Sequence, residues 1–161
     1  MNQTPMYKVR KATREDCPAI FALIKELAKF EKAEDEVEIT VEQLESDGFG
    51  PNPKFSCLVA ESQGEAVGAA VYYSKYSTWK GSCLYLEDLV VEKSQRRKGV
   101  GAILFSTLVK EAGNLGMKRM SWQVLQWNET AIAFYKKNNA TLDDEWINCS
   151  FNEQQLKEWG K

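Results

Sequence analysis

The stretch SQRRKGVGAILFSTLV, residues 94 to 109, restricts the fold more than any other part of the chain. Cations and glycines run into an amphipathic segment, with Ile103, Leu104, Leu108 and Val109 at the spacing of one buried helix face. The pattern predicts a helix that begins at the glycines. A helix N-terminus leaves four backbone N–H groups without partners and carries partial positive charge. Glycines admit another group close to that backbone, and basic side chains favour an anion there. The expected guest is a phosphate or pyrophosphate, held where a strand hands over to a helix.

Its placement removes two familiar phosphate-binding designs. A dinucleotide-binding βαβ unit closes its first strand with G-x-G-x-x-G, whereas here the loop comes late and Leu104 stands where the third glycine belongs. No G-K-[ST] is present, so there is no P-loop. What remains is Arg96-x-x-Gly99-x-Gly101 after SCLYLEDLVV, a strand ending in apolar residues. The plain alternative is a basic, glycine-containing helix start that holds no ligand.

The other elements alternate in type. YKVRKA (7–12) reads as a short strand. Thr13 with Asp16 opens a helix that tolerates Pro18 in its first turn and turns Ile20, Leu23, Ile24 and Leu27 inward. After the acidic FEKAEDEVEIT, Thr40 and Gln43 have capping-box spacing for a second helix, which DGFG ends. FSCLVAE and AVGAAVYYSKY read as strands joined by a turn at SQGE. RMSWQVLQ is a further strand, Asn128 caps the helix ETAIAFYKK, and EWINCSF is expected as a last strand before a short terminal helix. The order β-α-α-β-β-β-α-β-α-β predicts an α/β (α+β) fold: one mixed, mostly antiparallel sheet with helices on both faces. A chain of 161 residues is one ordinary domain, 1–161, with residues 1–6 expected as a flexible tail.

Composition narrows the partners. A net charge of −2 excludes a broad basic footprint for nucleic acid. No apolar run approaches the ~18 residues of a membrane span, and the N-terminus lacks a signal-peptide core. The expectation is a cytoplasmic protein that contacts neither nucleic acid nor membrane. Cys17, Cys57, Cys83 and Cys149 are scattered without a C-x-x-C pair, so they read as reduced core residues. Histidine is absent. That removes Ser–His–Asp and Cys–His catalysis and argues against a metal site. Acid–base chemistry falls to carboxylates, tyrosine, lysine, cysteine or water.

These residues resemble a family. Arg96-x-x-Gly99-x-Gly101 resembles the pyrophosphate loop of the GNAT N-acetyltransferase superfamily, which binds acetyl-CoA. IKELAKFE (24–31), DGFG (47–50), CLVAE (57–61), YSTWKG (76–81), YLED (85–88) and WNETAIAFYKK (127–137) together resemble the spermidine/spermine N(1)-acetyltransferase, or diamine acetyltransferase, family. The S-T-W at 77–79 is similar to its thialysine-acetylating branch. The resemblance runs from near the N-terminus to about residue 140 and implies a GNAT fold and a homodimer. It also implies direct transfer from acetyl-CoA to a primary amine of a small molecule: thialysine, a diamine, or a polyamine such as spermidine or spermine. The rival readings are an acetyltransferase of protein lysines or N-termini and a non-catalytic CoA-binding regulatory module.

Roles follow from the resemblance residue by residue. Arg96 and the backbone of Arg97, Lys98, Gly99, Val100, Gly101 and Ala102 hold the pyrophosphate. Leu89, Val90 and Val91 pair with the pantetheine arm where the sheet splays, and Asn128 and Ala131 add cofactor contacts. Tyr135 is the implied proton donor to the CoA thiolate and Glu87 the implied carboxylate for the amine. Phe30, Glu31, Trp79, Ser121, Trp122 and Gln123 are implied substrate contacts.

On pattern alone other readings stay open. Tyr135 also fits a core tyrosine beside Ala131 and Phe134, Asn128 a plain helix cap, and Glu87 a surface strand acid. The run from Glu31 to Glu38 also fits a solvated face, and Trp79 a packing residue. The chemistry is consistent, since a phenol near pKa 10 can protonate a thiolate near 8.5. Adjacent strand residues alternate, so Glu87 and Asp88 are expected on opposite faces.

Three departures from the family pattern matter. Ser77 stands where polyamine-selective members carry aspartate, which predicts a poor fit for spermidine. NNATLDDEWINCS lacks the family's glycine, and Asn139 is expected to take its left-handed position. The chain is also shorter through SQGE and after Asn139.

Overall fold

The computed structural model describes residues 7 to 160, and the first six residues, expected as a tail, lie outside the described residues. Two compact units make up the chain, one ending at Gln123 and the other beginning at Val124. The first unit holds a five-stranded sheet in the order β1 (Lys8–Lys11), β2 (Ser56–Ser62), β3 (Glu65–Ser77), β4 (Gly81–Val91), β5 (Met120–Ser121). β1 to β4 pair antiparallel, and β5 lies parallel to β4. The helices of this unit are α1 (Cys17–Phe30), α2 (Val41–Phe49) and α3 (Val100–Asn114).

Local chemistry sets these elements. β2 and β3 meet at Gln63 and Gly64, whose φ values of 54° and 84° are those of a type I′ hairpin turn. Thr40 caps α2, its hydroxyl accepting from the Gln43 N–H at 3.2 Å. α3 ends in a Schellman motif: Gly116, at φ 68°, donates to Gly113 O, and Met117 donates to Ala112 O.

Strand alternation then divides the core. Cys57, Val59, Ala69, Val71 and Val90 face α1 and α2, where they pack with Cys17, Ile20, Leu23 and Leu44. The other face receives α3 through Val100, Leu104 and Leu108, each at most 1% exposed. Close approach of α3 needs Gly68, because a Cβ there would sit 3.0 Å from a Leu104 methyl and 3.2 Å from one of Val100. Arg10 bonds Asp16 and Glu61, each at 2.7 Å, tying β1 and β2 to the start of α1.

The second unit contains α4 (Glu129–Lys137) and α5 (Glu153–Glu158). Asn128 caps α4, and Asn139 takes the left-handed position at its end, with φ 60°. A second Schellman pair follows, Ala140 N–H to Tyr135 O and Asn139 N–H to Lys136 O.

Two expected strands are corrected. RMSWQVLQ pairs only at Met120 and Ser121, and EWINCSF forms no strand. A strand persists only where a neighbour completes its hydrogen bonds, and among the described residues nothing pairs with residues 145–151. Trp146 and Ile147 stay 77% and 88% exposed. Cys149, expected in a core, is exposed for the same reason, whereas Cys17, Cys57 and Cys83 are buried. No helix among the described residues is long and apolar enough to cross a membrane.

Candidate active site

The sheet opens along β4. β5 pairs with it only at Leu84↔Met120 and Tyr85↔Ser121, while β4 continues to Val91. Among the described residues no strand covers that edge of residues 86–91, which includes Leu89, Val90 and Val91.

A tight loop follows. Arg97 and Gly99 both adopt left-handed backbone, at φ 61° and 85°, and turn the chain into α3. The N–H groups of residues 97 to 102 make no hydrogen bond among the described residues. N–H groups so placed at a helix N-terminus are of the kind that can receive an anion. Gly101 is not demanded by packing, since an added Cβ meets only a Val91 methyl at 3.7 Å.

The Arg96 side chain is engaged with the protein. It donates to Val91 O at 2.9 Å and to Glu26 Oε1 at 2.8 Å, and its guanidinium lies over the Phe30 ring at 5.6 Å. Glu26 also accepts the Lys93 N–H at 2.9 Å. Glu26 thus clamps the loop to α1. Sequence reasoning missed it, because a helix acid 70 residues away carries no local signal.

Upstream on β4 the carboxylates depart from expectation. Val71 pairs with Asp88 but Tyr72 pairs with Leu86, so Glu87 is the extra residue of a β-bulge. The alternation of faces breaks there. Glu87 and Asp88, expected on opposite faces, both line one cavity of about 390 Å³ between α1, α2 and the sheet. Ile24, Leu44, Phe55 and Val71 give it an apolar wall.

Tyr73, from β3, donates its hydroxyl to Glu87 Oε2 at 3.0 Å, and its ring lies 5.4 Å from Tyr85. Burial, with the Glu87 and Glu31 charges adding, pushes the Asp88 carboxyl up to about 6. Burial also raises Glu31, the C-cap of α1.

The remaining expected residues are distributed more widely. Phe30, 44% exposed, underlies Arg96. Ser121 lies beside Tyr85, Trp122 meets Phe105 edge-on at 5.3 Å, and Gln123 ends the first unit. Trp79 is not brought to the cavity. It sits at the tip of the β3–β4 hairpin, 87% exposed, where the Ser77 hydroxyl accepts from the N–H groups of Trp79 and Lys80. In the second unit Tyr135 is buried, with its ring 5.4 Å from Phe134, and burial raises its phenol. Asn128 Oδ1 accepts from Ala131 N–H, so the capping reading holds, with its amide nitrogen left for a further contact.

Comparison with known proteins points one way. The family model described as "Acetyltransferase (GNAT) family" matches residues 17–140. Thialysine N-epsilon-acetyltransferase of Mus musculus is 38% identical over 162 residues, covering 94% of this chain and 95% of that protein. Among solved structures, an integron cassette protein from the mobile metagenome of V. cholerae superposes with a TM-score of 0.77 at 22% identity, covering 94% and 95% of the two chains. An aminoglycoside N-acetyltransferase solved in complex with CoA superposes at 0.74 and 16%, covering 94% and 98%.

Proposed function

The chain belongs to the acetyltransferase (GNAT) family, and from that premise we propose which amine it acetylates and which residues carry the reaction. It is an N-acetyltransferase of small amines, with acetyl-CoA as the donor its family uses. The acceptor is an amino-acid-like amine of the thialysine type or a short diamine. Ser77 supports this choice, since it brings no charge to attract the distal cations of spermidine or spermine. The enzyme acts as a homodimer in the cytoplasm. The exposed Trp146, Ile147, Phe151 and Trp159 support the dimer, because apolar side chains so placed gain most from burial against a second copy.

One observation carries the reading. On a single strand, two carboxylates facing a cavity run directly into an uncovered backbone edge, and the next helix begins with unbonded N–H groups. The amine end, the acyl end and the phosphate end of a ternary complex are thus laid out in chain order. The N–H groups of residues 97 to 102 bind the pyrophosphate. Leu89 to Val91 take the pantetheine arm, and an N–H of this strand stabilises the developing charge on the thioester oxygen.

The thioester supplies an acetyl group already activated, so no protein nucleophile is needed. An alkyl ammonium near pKa 10.4 must first lose a proton, which costs roughly 4–5 kcal/mol at pH 7. Glu87 binds that ammonium in the cavity. Tyr135, kept protonated by its burial, protonates the departing thiolate.

A panel assay with thialysine, short diamines, spermidine, spermine and a lysine peptide tests this. Thialysine or a diamine should give kcat/KM at least equal to spermine, with the peptide inert. Strong preference for spermine or for the peptide would refute the acceptor assignment.

A further inference from the structure

Building on the amine-acetylating reading, we propose that Asp88 is the catalytic residue that takes the proton from the acceptor ammonium, while Glu87, held by Tyr73, binds and positions that ammonium. The division follows from geometry. The bulge at Glu87 turns both side chains into the same cavity, so a cation entering it meets two carboxylates from consecutive residues. They are not equivalent. Glu87 is exposed, and one of its oxygens is committed to the Tyr73 hydroxyl at 3.0 Å. Asp88 is the more enclosed of the two, and no hydrogen bond to its carboxylate exists among the described residues.

The titratable groups around it are Glu31 at the end of α1, Asp47 on α2, Lys54, Cys57, Tyr73, Tyr85 and Glu87. The one cation of this set, Lys54, is bonded to Asp47 at 2.6 Å. Nothing in the set compensates Asp88. A fold gains nothing from enclosing an uncompensated carboxylate, which is costly, and such groups concentrate where protons move. Its elevated proton affinity, due first to burial and then to Glu87 and Glu31, agrees with that use. A base with a pKa near the working pH is the efficient one.

The step balances. An N–H bond of the ammonium breaks, its electron pair stays on nitrogen, and the proton forms an O–H bond on Asp88. The freed pair attacks the acyl carbon, a C–N bond forms, and the C–S bond breaks with its pair leaving on sulfur. Tyr135 supplies the sulfur proton. The second proton lost by nitrogen restores Tyr135 through solvent, and Asp88 passes its own to water.

The test compares wild type, Asp88→Asn, Asp88→Glu, Glu87→Gln and Tyr73→Phe by pH profile of kcat/KM for thialysine, and by infrared titration of the carboxyl groups in the free proteins. CoA calorimetry serves as the folding control. Wild type should show an acid limb near pH 6 and a carboxyl midpoint to match. Asp88→Asn should lose both, with kcat down roughly 10²- to 10³-fold, and Asp88→Glu should recover part of the rate. Glu87→Gln should mainly raise KM and move limb and midpoint down by about one pH unit, since removing the adjacent charge eases ionisation of Asp88. Tyr73→Phe should raise KM and leave the limb in place.

Asp88→Asn with normal kcat and an intact limb would overturn the proposal while the enzyme remains an amine acetyltransferase. A wild type that shows the midpoint yet acetylates no small primary amine would overturn the functional reading, and the role of Asp88 with it.

Discussion

Asp88 sits where a carboxylate is costly, and that cost is measurable. The folded protein holds its proton up to about pH 6 against an ordinary 3.8, so the native state binds that proton more tightly than the unfolded chain does. Its contribution therefore favours folding below about pH 4 and is lost as pH rises through about 6. A gap of about two units at 1.36 kcal/mol each puts the penalty above pH 7 on the order of 3 kcal/mol. Asp88→Asn should accordingly melt several degrees higher than wild type at pH 8, with the difference shrinking at pH 4. Equal melting at pH 8 would show that the site does not strain the fold.

Tyr135→Phe should lower kcat by roughly 10²- to 10⁴-fold and change the CoA Kd little. A near-normal kcat from pH 6 to 9 would reduce Tyr135 to packing. At this scale residue types were legible in the sequence and directions were not. YLED announces two acids, but their common face depends on a register shift set by pairing with β3, which no local pattern encodes.

The start of α3 was legible as an element because every signal there is local: glycines, cations and the 3.6-residue apolar repeat. It also separates fold from function cleanly. Gly99 holds φ 85°, so Gly99→Ala should cost roughly 1–2 kcal/mol of stability whatever binds nearby. Gly101 has ordinary helical backbone and room for a Cβ. Gly101→Asp should therefore keep the melting temperature within a few degrees while CoA binding by calorimetry is lost, because a carboxylate would occupy the anion cradle. Retained binding would sink the phosphate-loop assignment.

Arg96→Ala should raise the CoA KM by loosening the loop clamped through Glu26, and Glu26→Gln should share that effect in weaker form. The strands fared less well than this loop. Residues 145–151 have strand-like apolar character, yet pairing is a property of two segments and only one of them is in view from a sequence window.

At the scale of the whole molecule, the mixed sheet with helices on both faces was readable from element order, since hairpins and one crossover leave few arrangements. The cavity lined by Glu87 and Asp88 was not, because it draws residues from α1, α2, β3 and β4. Substrate choice is tested at this scale. Ser77 closes the hairpin turn through its hydroxyl, and aspartate can accept the same two N–H groups, so Ser77→Asp should fold normally. It should shift the kcat/KM ratio toward spermine on the order of ten-fold, the worth of one partly desolvated charge contact. An unmoved ratio would place selectivity elsewhere.

Direct acetyl transfer to a small amine is tested by initial-velocity kinetics with thialysine and acetyl-CoA varied together. Intersecting reciprocal plots are predicted, with one acetylated side-chain amine formed per CoA thiol released. Parallel plots, or thiol release without acetylated amine, would contradict it.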